Sequence, residues 1–275
     1  MRSLRAFFRN RLAVVCAVIL VVTVLASVFA PWLPLDNPNH QDLAAALQPP
    51  SAAHLLGTDQ FGRDLLARIV YGARLALVMG ALAVAGAVVV GTFLGLVAGY
   101  AGGWLDTVVM RTMDIFLAFP YLLIAIAIVT ALGPGTGNAA VAIAIWLMPS
   151  AARVIRAAVL EIRSREYVEA AHALGARSPR VVMRHLLPNV TASLTVFSTV
   201  AIGRAIIMDS ALSFLGLGAQ PPTASWGNMV SSGRTYLVVA PHIALLPGVA
   251  ILVTVVSFNL VGDGIKDALN PRSNR

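Results

Sequence analysis

Glu169-Ala-Ala-His-Ala-Leu-Gly-Ala-Arg-Ser-Pro-Arg-Val-Val-Met-Arg-His-Leu-Leu-Pro188 is the stretch on which the reading of this chain turns. Two short helical patterns flank Gly175. Glu161, Tyr167, Ala170, Ala171 and Leu174 give the first a mixed apolar edge, and Gly175 suits the left-handed residue that closes a helix. Ser178-Pro179 then reads as an N-cap followed by the first helical residue, and Pro188 closes the element. The small pair Ala170-Ala171 would let a helix seat deeply in a groove, where Glu169 offers a carboxylate to basic or amide groups. Seven arginines lie between Arg153 and Arg184, and apolar runs long enough to cross a bilayer stand on either side. Two readings follow: a platform that docks a soluble partner, or an amphipathic loop lying on the membrane.

Outward from that loop the chain is too apolar for a soluble domain. Of 275 residues, 58% are hydrophobic and only 12% charged, and mean hydropathy is +0.82, which indicates a multi-span membrane protein. The net charge of +8 sits in loops between apolar runs, so it signals topology and membrane lipid rather than nucleic acid. Leu12–Ala30, preceded by Arg2, Arg5, Arg9 and Arg11, is longer than a signal-peptide core. Cleavage there would leave Pro31 first, so it reads as an uncleaved span. Leu75–Tyr100 carries no charge and would be about 39 Å long as a helix. Its Gly91, Gly95 and Gly99 share one face and invite close helix packing. The third span is Thr107–Leu132 with a kink expected at Pro120, followed by a turn at Gly133–Asn138. The fourth is Ala139–Ala152 with Arg153 snorkelling at its end. Val190–Ile207 and Ile243–Val261 complete six spans of an all-α integral membrane protein. Residues 1–73 would hold the tail, first span and outer loop. Residues 74–275 would hold a five-helix core with the loop at 163–188.

Arginine placement sets the orientation. With the N-terminus inside, the interior segments hold the four N-terminal arginines, Arg111, the seven from Arg153 to Arg184, and Lys266, Arg272 and Arg275. The outer segments keep Arg63, Arg68, Arg74 and Arg234. The positive-inside rule therefore places both termini and the Glu169 loop in the cytoplasm.

Several chemistries are excluded. Lys266 is the only lysine, and its surroundings supply no glycine-rich phosphate loop, so no ATP site and no cofactor is expected in this chain. The single Cys16 excludes an internal disulfide. The histidines, His40, His54, His172, His185 and His242, do not fall at ligand spacing on a helix face, so no metal is expected. No nucleophile–base grouping is present, so no catalytic residue is expected.

Two sets of polar residues remain as candidates. Arg204 falls inside the fifth span, where an arginine normally faces a wet cavity or the bundle interior. It can meet a cargo carboxylate, pair with Asp209, or snorkel outward, and Asp209 lies at the expected outer mouth. These two are candidates for the translocation path or gate. Asp114 is spaced to pair with Arg111. The long outer segments Pro31–Tyr71, with Asp59, Arg63 and Asp64, and Ser210–Pro241, with Trp226, suit docking or gating at the outer face.

The loop resembles the EAA loop of bacterial ABC importer permeases, matching at Glu169, Ala170, Ala171, Gly175, Leu187 and Pro188. It departs at His185, where the general pattern has isoleucine. The dipeptide/oligopeptide/nickel branch is similar there, having the form Arg184-His-Leu-Leu-Pro-Asn189. His54-Leu-Leu-Gly-Thr-Asp-Gln-Phe-Gly-Arg-Asp64, Ala211-Leu-Ser-Phe-Leu-Gly-Leu-Gly218 with Trp226-Gly227, and Gly262-Asp-Gly-Ile-Lys-Asp-Ala-Leu-Asn-Pro-Arg272 resemble the C-type subunit of that branch, over residues 1–272. The resemblance implies a type I importer permease fold. It also implies a heterodimer with a B-type permease, two ATP-binding subunits carrying ATP and magnesium, and an extracellular binding protein delivering peptide. Nickel or another small solute is the alternative cargo. Glu169, Ala170, Ala171, Gly175, Arg180 and Pro188 would then couple to the ATPase. A self-sufficient secondary transporter would call for inverted repeats, which the chain does not display.

Overall fold

The computed structural model describes Phe8 and residues 10–269. Arg2, Arg5, Arg9, Arg272 and Arg275 of the charge pattern lie outside the described residues. Helix α1, Arg11–Phe29, starts where Asn10 Oδ1 accepts from the Ala13 amide at 3.2 Å. One face of α1 stays bare, with Leu12, Val15, Val18 and Val22 all more than half exposed, as suits a helix bordered by lipid. Helix α2 runs over Leu65–Ala101, 37 residues. It begins ten residues before the apolar run suggested, because Asp64 caps it through the Ala67 amide at 2.8 Å and Arg68 is absorbed into the outer segment. The division expected after residue 73 therefore falls inside one continuous helix.

Gly102 and Gly103, at φ +68° and +57°, turn the chain into α3, Gly103–Ala118, followed by α4, Tyr121–Leu132. The kink expected at Pro120 is in fact a break of 93° between these helices. Phe119 takes an extended conformation, with ψ at 145°, as a residue before proline tends to. The helix therefore ends and restarts. Helix α5, Thr136–Arg163, continues well past Ala152, so Arg153 is internal to it. The loop contributes α6, Glu166–Ala173. The chain then coils through Ser178–Val181 and a single π turn at Val182–Leu186 into α7, Leu187–Phe214. Helices α8, Trp226–Gly233, and α9, His242–Leu269, complete the chain. Five segments are long and apolar enough to span a membrane, and the bent pair α3–α4 brings the number to six. Among the described residues no β-strand occurs.

The packing centre is the seam between α2 and α5. A Cβ on Gly91 would lie 2.6 Å from that of Ala151. One on Gly95 would lie 2.6 Å from the Ala152 carbonyl oxygen, and one on Gly99 2.9 Å from Val159. Glycine at these three positions lets two backbones touch where lipid would give no comparable dispersion contact. Around the seam, Val84, Ile143, Leu147, Met208 and Leu212 form the central core. Leu65, Trp226, Met229 and Ile243 close the end away from the Glu169 loop, and Ile155, Val168, Val181 and Leu186 close the loop end.

Ion pairs pin α3 to α5. Arg156 Nη2 donates to Asp106 Oδ2 at 2.6 Å, and Arg153 Nη2 to Asp114 Oδ1 at 2.5 Å. Arg153 thus pairs across helices instead of snorkelling. The expected Arg111–Asp114 contact is present only at 3.9 Å.

Replacing Gly95 by valine is expected to cost about 1–3 kcal/mol through overpacking. Thermal melting in detergent should register a lower Tm. Gly248→Ala, at a position with nothing within 4 Å, should leave the melting point unchanged or slightly raised.

Candidate coupling loop and translocation path

The Glu169 loop is held from beneath. Val168 and Val181 are fully buried, at 1% and 0% exposure, and pack with Ile162, Leu186 and Val190 at the ends of α5 and α7. These anchors leave Glu169, Ala170 and Arg180 exposed, and Leu174 is 89% exposed. Gly175 has φ +81° with no atom within 4 Å of an added Cβ. The Leu174 amide donates to Ala170 O and the Ala176 amide to Ala171 O, each at 3.0 Å, which closes α6 in the manner expected of a glycine cap. Arg177, not Ser178, occupies the N-cap position of the next turn, with Ser178 and Pro179 inside it. A shallow groove of about 270 Å³ lies between Ala171, Leu174, Arg180, Arg184 and His185. Pro188 sits in the first turn of α7. The apolar edge with Tyr167 and Leu174 faces away from the bundle, and it is Val168 that packs against the end of α5. The rigid anchor with an exposed rim is what a platform for a partner requires.

Arg204 and Asp209 do not meet. Five residues apart, they project about 140° from one another around a helix, and no ion pair joins them among the described residues. Because α7 extends to Phe214, Arg204 lies deep in the span and not three residues from its end. Its side chain is exposed and lines a cavity of about 790 Å³ between α5, α7 and α9, together with Ser150, Glu161, Val196 and Lys266. Asp209 is buried at 3% exposure, and its Oδ1 has no hydrogen-bond partner.

The residues expected at the outer face close on one another. Asp59 Oδ1 accepts from the amides of Phe61 and Arg63 at 2.8 and 3.0 Å, while Oδ2 accepts from Arg63 Nε at 2.6 Å. Arg68 Nη1 donates to Pro38 O at 2.7 Å, and Thr58 donates its hydroxyl to Ala45 O. Asp59, Arg63 and Asp64 are all at least nine-tenths buried. Trp226, expected as a surface contact anchor, is 2% exposed. Its indole donates to Ile69 O at 2.9 Å, and its ring lies against Gly72. These side chains build the cap internally, and it is the folded cap that presents a surface. His54 Nδ1 lies 3.0 Å from Asp64 Oδ2, and the Asp36 carboxylate comes within 4.8 Å of both. Ligand-like spacing thus arises from folding of the outer loop, where helix periodicity could not reveal it. Asp64 is already engaged in capping α2 and bonding His54.

Residues 91–275 match the family model described as the binding-protein-dependent transport system inner membrane component, and residues 2–50 that of the N-terminal transmembrane domain of oligopeptide transport permease C. The chain belongs to this transport family. Among its relatives is the dipeptide transport system permease protein of Alkalihalophilus pseudofirmus, 46% identical across 96% of this chain and 87% of the relative. The glutathione transport system permease protein of Pectobacterium atrosepticum is 42% identical across 98% and 89%. In fold this chain is similar to a chain of the inward-facing methionine ABC transporter, with a TM-score of 0.62 at 20% identity over 75% of this chain and 98% of that one. It is also similar to one of an amino acid ABC transporter, at 0.56 and 16% over 72% and 92%. The type I importer permease fold implied by the resemblance is thereby established.

Trp226→Ala is expected to lower stability by about 3–5 kcal/mol, the usual cost of emptying a buried aromatic site. Denaturation in detergent should show this for the isolated chain. A purely surface role for Trp226 would leave that curve unmoved.

Proposed function

We propose that this chain is a permease subunit of an ATP-driven importer that carries dipeptides or short oligopeptides across a bacterial cytoplasmic membrane, with both termini and the Glu169 loop on the cytoplasmic side. The observation that carries this reading is identity of 46% to a dipeptide permease along 96% of the chain. It is joined to a loop whose buried face is fixed while Glu169 and Ala170 stand free. Both curated relatives named above are permeases for peptides, glutathione being itself a short peptide, which favours peptide over nickel as cargo. The chain forms a pore half and pairs with a second, B-type permease. Two ATP-binding subunits, which hold ATP and magnesium, receive α6 in a surface groove. An extracytoplasmic binding protein delivers cargo to the cap built around Asp59, Arg63 and Asp64.

Rigidity is the property the loop must have, since it transmits displacement between packed elements. Val168 and Val181 tie α6 to the ends of α5 and α7, so motion of an ATPase dimer at Glu169, Ala170, Ala171 and Arg180 is passed to the helices lining the cavity. Gly175 sets the angle between α6 and the following turn, and Pro188 starts α7. Arg204 and Asp209 belong to the path or its gate.

Affinity purification of the tagged chain from its native membrane tests the assignment. A second permease and ATP-binding subunits should co-purify with the wild type, and Glu169→Arg should lose the ATP-binding subunits while keeping the permease. Purification of the chain alone, with ATP-independent transport in vesicles, would overturn the reading. Gly175→Val meets no steric obstacle, so its cost is the left-handed backbone, about 1–2 kcal/mol. It should insert and assemble normally, yet reduce uptake per ATP hydrolysed by about tenfold, corresponding to about 1.4 kcal/mol of lost coupling. Unchanged stoichiometry in reconstituted liposomes would remove Gly175 from the coupling path.

A further inference from the structure

The cavity between α5, α7 and α9 holds two cations that have no partner among the described residues. Arg204 makes no ion pair or hydrogen bond among the described residues, and neither does Lys266. The acid on the same wall, Glu161, is already bonded to Arg165 Nη2 at 3.0 Å. Asp263 and Asp267 flank Lys266 on α9 but do not line the cavity and do not pair with it. Three other arginines on the long helices are bonded. Arg153 and Arg156 are bonded to Asp114 and Asp106, and Arg68 is held by a carbonyl at 2.7 Å. An unpaired arginine deep in a span is costly against lipid or a dry helix interface. The space before it must therefore hold water, an anion, or both.

The dimensions suit an extended solute. Along α7 the cavity wall runs from Ala192 to Arg204, a rise of about 18 Å. Extended chain advances about 3.3–3.6 Å per residue, so the groove has room for a peptide of two to about five residues. Lys266 and Glu161 stand near the ends of their helices, on the side of the Glu169 loop, whereas Arg204 is mid-helix. Ser150 and Ser193 add neutral hydrogen-bonding groups between them.

We infer that this cavity is an anion-reading segment of the translocation path, in which Arg204 and then Lys266 take the carboxylate of a peptide moving toward the Glu169-loop side. The inference rests on the peptide-import reading for the identity of the cargo; the anionic preference of the cavity does not. Two positive charges spaced along the wall lower the energy of a carboxylate at both ends of the passage, and both keep water access. Neither holds it as tightly as a buried bidentate site would, so the carboxylate can leave.

The test uses the complete transporter, with Cys16→Ser and Val196→Cys introduced so that a single thiol in this chain faces the cavity. Two methanethiosulfonates of similar size, one bearing a sulfonate and one a trimethylammonium group, are reacted in the absence of ATP. Modification at position 196 is read by mass spectrometry. The ratio of the two rates cancels any change in thiolate fraction. We expect the sulfonate reagent to react about tenfold faster, since charged clefts concentrate counter-ions by that order or more, and the ratio to fall toward one in the Arg204→Gln, Lys266→Gln double variant. Equal rates in the wild-type pair of cations would overturn the inference, as would a preference that survives both neutralisations. Equal rates are also what an acidic side chain of the partner permease lodged against Arg204 would produce.

ATP-driven uptake of dialanine supplies the second arm. Arg204→Gln should lower the maximal rate about tenfold, and Arg204→Lys should restore most of it, which a purely packing role would not do. An intact anion preference with unchanged dialanine uptake in the double variant would overturn the cargo role. If the wild-type complex imports no dialanine at all, the peptide reading fails, while the thiol ratio still decides the charge of the cavity.

Discussion

The backbone contact between α2 and α5 is the constraint on which the rest of the molecule depends. In a bilayer, lipid tails are as apolar as any side chain, so helices gain from meeting only where they fit more closely than lipid can. Gly91, Gly95 and Gly99 give that fit, bringing α2 against the carbonyls of Met148, Ala152 and Arg156. With α5 fixed on α2, its far end carries α6, and its outward face carries Arg153 and Arg156 to the carboxylates of α3.

Charge is distributed on a second principle. One set of ionised groups is matched, pinning α3 to α5 through Asp106 and Asp114 or knitting the cap around Asp59. Arg204 and Lys266 have no such match and face the cavity between α5, α7 and α9, while Asp209 is buried without a partner for its Oδ1. The Glu169 loop follows the opposite rule. Its exposed rim includes Glu169, Ala170 and Arg180, while two buried valines, Val168 and Val181, anchor it.

Most of the architecture was legible in the chain. Six apolar runs, the glycine face of the second and the glycine stop at Gly175 all follow from local chemistry, and each is present. Boundaries were less legible. Helix α2 starts at Leu65 because a buried arginine can live in a folded cap, and hydropathy alone treats Arg68 as a terminator. Pro120 was recognised, but the size of the bend depends on where α4 packs, which no local rule specifies. Trp226 was read as a surface anchor because it sits in an outer loop. It is buried because the glycine at position 72, far away in sequence, leaves room for its ring. Val168 and Val181 gave no signal beyond their apolarity, and only the packed ends of α5 and α7 show that they anchor the loop.

By itself the sequence determined the membrane class, the helical content and the helix–glycine–helix form of the Glu169 loop, since these depend on the hydropathy and backbone preferences of neighbouring residues. The positive-inside pattern likewise carries an orientation that needs no fold to be read. Tertiary structure alone decided which charges are spent on one another and which are left free. Arg156 and Arg204 are the same residue type in similar apolar helices, yet one is bonded to Asp106 and the other faces open space. That difference arises from long-range packing, because an ion pair needs its partner within a few ångströms and sequence distance does not encode that.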